Sequence, residues 1–184
     1  MTEQQTLTEL LPAEAIKAID VFVAKYPADR KRSAVMSSLM IAQESNAGFL
    51  SEELMDAVAD YLEIPHMAAY EVATFYTMYN LKPVGEHVIN VCTNISCMLR
   101  GSKEIVEHLN KRLNVKFGET TTDNKFTLTE VECQGACAGA PMFEVDKVFH
   151  ENLTPEKVDT IIDGILSKNQ ASSSIKNTKT KEEG

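Results

Sequence analysis

The sequence predicts an α+β chain in which an N-terminal helical half precedes a small sheet domain. Three observations carry that reading. Across residues 1–84 apolar side chains recur at three- and four-residue steps, the breaker cluster Lys82-Pro83-Val84-Gly85 ends the pattern, and short β-branched or alternating runs follow it. A chain of 184 residues suffices for one ordinary domain or two small ones, and 43% hydrophobic with 24% charged residues suits a folded soluble chain.

In the first half, Pro12 opens a helix through Ile16, Ile19, Phe22, Val23 and Tyr26, and Pro27 stops it. A second helix spans about Ser33 to Gln43, with Val35, Met36, Leu39, Met40 and Ile41 behind a solvated basic start at Arg30-Lys31-Arg32. Ser51 is an N-cap with Glu52 and Glu53 in the first turn, ahead of Leu54, Val58, Tyr61 and Leu62. A fourth helix runs from Pro65 to about Thr77, and its Met67, Tyr70, Val72, Phe75, Tyr76 and Met78 read as core.

In the second half, His87-Val88-Ile89-Asn90-Val91 is a strand ending at Cys92, and Ser102 to Leu113 is an amphipathic helix carrying Ile105, Val106 and Leu109. Phe126 to Glu132 alternates with period two and runs into Cys133; further strands are expected near Met142 to Val145 and Val148 to His150. Thr154-Pro155-Glu156 starts a last helix through Val158, Ile161, Ile162 and Ile165. The expected organisation is therefore a helical domain over residues 1–84, a sheet domain over 85–167, and a disordered tail over 168–184 that is rich in Lys, Ser, Asn and Thr.

Charge narrows the function. With 18 basic and 27 acidic residues the net charge is −9, which repels phosphate backbones and argues against a nucleic-acid or anionic-lipid partner. Residues 1–86 hold a net −7, residues 87–167 a net −4 and the tail a net +2, so the acidity is concentrated in the helical half. No run is long and apolar enough for a membrane span, and the start lacks a secretory or transit signal, so a reducing cytosolic setting is expected. In that setting cysteines are metal-bound, catalytic or free rather than paired in disulfides.

The four cysteines occupy two tight loops, Cys92-Thr93-Asn94-Ile95-Ser96-Cys97 and Cys133-Gln134-Gly135-Ala136-Cys137. Each loop follows a strand, so both pairs can emerge at the same end of neighbouring strands. Zinc knuckles and thiol-disulfide enzymes favour two intervening residues, whereas these loops have four and three. Two separated pairs suit a 2Fe-2S cluster, in which each iron takes two thiolates. Such a cluster carries about −2, and about −3 when reduced, so donors must face its sulfurs; Gly135, Ala136, Ala138, Gly139 and Ala140 permit backbone approach, and Thr93 and Ser96 offer hydroxyls. His66, His87, His108 and His150 show no spacing that pairs them with the cysteines, so all-thiolate ligation and a potential on the order of −400 mV or somewhat higher are expected. Arg100 and Lys103 are candidates to offset the cluster charge, with a solvated helix start as their plainer role. No dinucleotide fingerprint, P-loop or hydrolytic triad accompanies the cysteines. A cluster without a substrate site implies an electron relay inside an assembly.

Three runs carry a family resemblance: Tyr70 to Gly85 (YEVATFYTMYNLKPVG), Cys92 to Ser102 (CTNISCMLRGS) and Val131 to Pro141 (VECQGACAGAP). Over about residues 10–167 the chain resembles the E subunit of bacterial NADH-quinone oxidoreductase, respiratory complex I. The resemblance implies an N-terminal helical bundle followed by a thioredoxin-like α/β ferredoxin domain, with Cys92, Cys97, Cys133 and Cys137 holding one 2Fe-2S cluster. It also implies a partner subunit that carries NADH and FMN, the rest of the peripheral arm around it, and a place on the cytoplasmic side of the inner membrane through the complex. Family members often have Leu at the position of Gln134 and Gly at that of Asn124; Asn tolerates a left-handed turn, and Gln134 brings an amide near the cluster. The alternatives are the homologous subunit of an NAD-linked hydrogenase or formate dehydrogenase, a zinc-stapled interaction module and, more distantly, a disulfide oxidoreductase.

Overall fold

The computed structural model describes residues 5–179, with side chains described through residue 167. The chain divides into two compact units, Met1–Glu86 and His87–Gly184, so the boundary falls where the first strand begins.

The first unit is helical. A short α1, Leu7–Leu10, has no counterpart among the sequence expectations; the Thr6 N–H donates to Glu9 Oε2 at 2.7 Å, which secures a turn too short to show periodicity. Helix α2, Ala13–Val23, starts behind Pro12 and buries Ala15 and Ile19. The basic cluster sits in a 3-10 turn, Ala28–Ala34, that leads into α3, Val35–Ser45. Helix α4, Glu52–Tyr61, is capped as expected: Ser51 Oγ accepts from the Leu54 N–H at 3.2 Å. The Tyr61 hydroxyl donates to Asp20 Oδ1 at 2.6 Å, a bond between α4 and α2 that pushes the phenol up to about 12. Helix α5, His66–Phe75, follows Pro65.

Leu39, Ala42, Val58, Ala59, Ala69 and Ile19 are fully buried and form the centre of this core. Several residues read from sequence as core lie elsewhere. Helix α5 turns Ala68, Ala69 and Ala73 inward, which leaves Met67 67% and Phe75 76% exposed, with Tyr76 and Met78 exposed beyond its end. Helical spacing alone could not separate these two faces, because apolar residues occupy both. Buried Gln43 holds the segment after α5: its Nε2 donates to the Met78 carbonyl at 3.1 Å, and its Oε1 accepts from the Asn80 N–H at 2.6 Å. Asn80 Nδ2 donates to the Gly48 carbonyl at 2.8 Å and the Tyr79 hydroxyl to the Met36 carbonyl at 2.9 Å. The Tyr79-Asn80 pair is thus a structural latch on α3.

The second unit is a four-stranded sheet with helices. Strand β1, His87–Cys92, is followed by a short α6, Ile95–Leu99, and by α7, Ser102–Leu113. Then come β2, Phe126–Val131, a 3-10 turn at Cys137–Gly139, β3, Phe143–Val145, β4, Val148–His150, and α8, Pro155–Lys179. The order is β2-β1-β3-β4, with β1 parallel to β2 and antiparallel to β3. A crossover connection is required between parallel neighbours, and α7 supplies it.

One face of the sheet carries Ile89 and Val91, Phe126 and Leu128, and Phe143 and Val145; Ile105 and Leu109 of α7 and Val158 and Ile162 of α8 pack into the same cluster. In register, Ile89 stands between Leu128 and Val145, so every second residue of three strands meets the helices. Asn124 adopts φ 55°, the left-handed turn that a Gly would otherwise supply. Helix α8 continues through Lys179 into the segment that composition assigned to a disordered tail: a polar composition denies that segment a core, yet its Lys, Gln and Ala residues are competent helix formers. The remainder of the expected tail, 180–184, lies outside the described residues.

Candidate metal centre

Both cysteine pairs sit at the C-terminal ends of the two parallel strands. Cys92 is the last residue of β1 and is in register with Val131, the last of β2, two positions before Cys133. Parallel pairing therefore brings the loops together, as strand-then-cysteine order implied.

The first loop is ordered by a helix that the sequence pattern did not announce. Asn94 caps α6, its Oδ1 accepting from the Ile95 N–H at 2.7 Å, and Cys97 lies within that helix. The signal was present in Asn94, but five residues are too few for a helical period to emerge. Cys92 and Cys97 are both buried, at 3% and 1% exposure, against Ala140 and Met142. Burial pushes the Cys97 thiol up to about 11, a side-chain hydrogen bond with Cys92 adds to the rise, and a backbone hydrogen bond from Met142 opposes it. Cys137 also acts on Cys97 through its charge.

The second loop is different in kind. Cys133 and Cys137 are exposed and lie with sulfurs 3.5 Å apart. Gly135 has φ 82°, which turns the backbone so that its N–H reaches Cys133 Sγ at 3.4 Å. A Cβ on Gly139 would lie 2.6 Å from Glu151 Cβ, so only glycine fits between the turn and that side chain. The Asn152 N–H donates to the Gly139 carbonyl at 2.6 Å and the Leu153 N–H to the Pro141 carbonyl at 3.0 Å, which fastens the loop to the chain before α8.

The sequence offers the Thr93 hydroxyl as a donor near the cluster. It donates instead to Glu130 Oε1 at 2.7 Å. The Gln134 amide donates to Glu144 Oε2 at 2.9 Å and leaves its own Oε1 buried without a partner. Lys103 pairs with Glu107 at 3.8 Å on α7, and Arg100 is exposed at the end of α6. Three histidines are engaged by carboxylates: His66 by Asp56 and Asp60, His87 by Asp146, and His108 by Asp159. Desolvation holds His150 below its ordinary value, beside Phe143.

Among the described residues, no three His, Cys, Asp or Glu side chains converge on a point that would hold a single metal ion. Two thiol pairs on adjoining loops match the donor set of a binuclear centre, where each iron needs only two, and the Gly135 and Met142 backbone groups already face sulfur. The residues present fit a 2Fe-2S cluster.

Fold and donor set together define an iron-sulfur electron carrier built on a small α/β sheet. The chain belongs to the thioredoxin-like [2Fe-2S] ferredoxin family, whose model matches residues 19–166, and one 2Fe-2S cluster is its cofactor. It is 50% identical over 141 residues to the E subunit of NADH-quinone oxidoreductase from Rickettsia bellii, covering 77% of this chain and 84% of that protein. It is 42% identical over 166 residues to the protein of the same name from Rickettsia typhi, covering 90% and 98%. A crystal structure of an NAD+-reducing [NiFe]-hydrogenase in the H2-reduced state is similar in fold over 70% of this chain and 22% of its own, with TM-score 0.61 and 17% identity. The two Rickettsia relatives are parts of an oxidoreductase. No helix among the described residues is long and apolar enough to cross a membrane.

Proposed function

We propose that Cys92, Cys97, Cys133 and Cys137 hold the 2Fe-2S cluster, one buried pair and one exposed pair, and that the chain exchanges single electrons with the FMN of an NADH-binding partner in NADH-quinone oxidoreductase. When bound, the cluster supplies a one-electron carrier. The chain's own residues do the rest: β1 and β2 fix the two loops side by side, the Gly135 and Met142 backbone groups stabilise thiolate sulfur, and Ala140 and Met142 pack against Cys92 and Cys97 and exclude water from them.

The observation that carries the reading is the parallel register of β1 and β2, which puts both pairs at one sheet end. The Rickettsia relatives support the assembly assigned. Docking of the partner by the helical unit is supported by the exposed Phe75, Tyr76, Met78 and Leu81 at and beyond the end of α5, an apolar surface that a monomer gains nothing by leaving in water. A place on the cytoplasmic side of the membrane follows from the same assembly.

The test is to add NADH to the full chain bound to its flavin-carrying partner, under anaerobic conditions, and to follow the paramagnetic signal of the reduced cluster. Reduction that needs the flavin-carrying partner supports the reading. A loaded chain that stays oxidised when poised with NADH and flavin below its own potential would sink the proposed exchange.

A further inference from the structure

Three residues next to, or one removed from, a cysteine direct their side-chain donors away from sulfur and towards carboxylates. Thr93, which follows Cys92, gives its hydroxyl to Glu130 Oε1 at 2.7 Å. Asn94 Nδ2 donates to Glu132 Oε2 at 2.9 Å, and Glu132 itself precedes Cys133. Gln134, which follows Cys133, donates to Glu144 Oε2 at 2.9 Å. The first two bonds cross from the loop after β1 to β2 and the residue beyond it, so they fasten one cysteine loop to the other. Bonds to ionised carboxylates are roughly twice as strong as neutral ones, which suits them to a clasp.

The same groups bring charge. Both the Glu130 and the Glu132 carboxylate are exposed and carry their charge at the sheet end where the thiols gather, with no ion-pair partner among the described residues. A negative charge close to a centre that becomes more negative on reduction disfavours the added electron.

We propose that Glu130 and Glu132 are positioning residues for the cluster that act in two separable ways: their oxygens clasp the two cysteine loops together, and their charges hold the cluster to a low reduction potential. This rests on the assignment of the cluster to the four cysteines.

The test uses the full chain loaded with its cluster, in wild-type, Glu130→Gln, Glu132→Gln and Glu130→Ala/Glu132→Ala forms. Iron and labile sulfide are measured beside a redox titration read by the paramagnetic signal. The Gln variants keep an amide oxygen to accept from Thr93 or Asn94, so iron content is expected to stay at the wild-type level. Their ratio of reduced to oxidised cluster at fixed ambient potential should rise at least about threefold, roughly 30 mV for one electron, and the rise should shrink with added salt. The double Ala variant should lose iron as well. Loaded Gln variants with an unshifted potential overturn the inference alone. Iron lost from the Gln variants overturns it too, since the acceptor is retained. A wild-type chain that takes up no iron overturns the cluster assignment, and this inference with it.

Discussion

The two cysteine pairs meet at one sheet end yet live in opposite surroundings. Cys92 and Cys97 are buried, stiffened by strand β1 and helix α6, and Cys97 is costly to ionise until a metal takes the proton's place. Cys133 and Cys137 are exposed on a glycine-containing turn whose shape depends on Gly135 and Gly139. Under the proposed ligation the pairs divide the labour: the inner pair anchors the cofactor in the fold, and the outer pair leaves one side of it near the surface, where an electron can pass to a partner.

The largest expected effect comes from breaking the inner pair. Cys97→Ser should abolish iron binding and also cost the cluster-free second unit about 1–3 kcal/mol, because it buries a hydroxyl against Ala140 and Met142. Cys133→Ser should abolish iron binding while leaving the cluster-free stability within about 0.5 kcal/mol. Denaturant unfolding of both apo variants checks the difference, and equal losses would erase the distinction between the pairs.

Next in size is Gly139→Ala. The added methyl meets Glu151, so the turn or that side chain must shift, at about 1–3 kcal/mol and with reduced cluster occupancy. A variant with wild-type iron content and stability would show that the outer loop is more plastic than its packing suggests. A kinetic comparison follows. In the cluster-free chain, exposed Cys133 and Cys137 should be alkylated well before buried Cys97, as mass spectrometry after timed quenching would reveal. Simultaneous labelling of all four would mean that the inner pair is not held in the apo fold.

The smallest effect lies in the helical unit. A hydrogen bond to Asp60, with the nearby charges of Asp56 and Asp60, raises the His66 pKa above its ordinary 6.5, so the charged ring joins α5 to α4. A raised folded pKa gives stability that is full below 6.5 and is lost as pH rises through the folded value. Thermal melts from acidic to alkaline pH should show that loss in the wild type and not in His66→Gln; parallel curves would remove the contribution.

What could be read from the sequence follows from which signals are local. The strands at His87 and Phe126, the helix from Ser102 and the Ser51 cap announce themselves through alternation, periodicity and cap chemistry. Helices α1 and α6 are shorter than two helical turns and leave no period to find. The exposure of Phe75 and Met67 depends on which face of α5 meets α3 and α4, a tertiary fact. Spacing suggested the two pairs and strand order their convergence; it could not foretell that Thr93, Asn94 and Gln134 would face carboxylates, because Glu130, Glu132 and Glu144 reach them only once three strands are in register. The charge sum concealed this as well: the second unit is the less acidic overall, yet Glu130, Glu132 and Glu144 stand beside the cysteine loops.

If the two dissimilar thiol pairs make one binuclear centre, its metal content and spin reveal it. Iron, sulfide and zinc are measured in the anaerobically purified full chain, together with paramagnetic resonance after dithionite. The expected result is about two irons and two labile sulfides per chain, no zinc, and one unpaired electron per cluster on reduction. One zinc with no iron, or a silent spectrum from a chain that holds both irons, would contradict it.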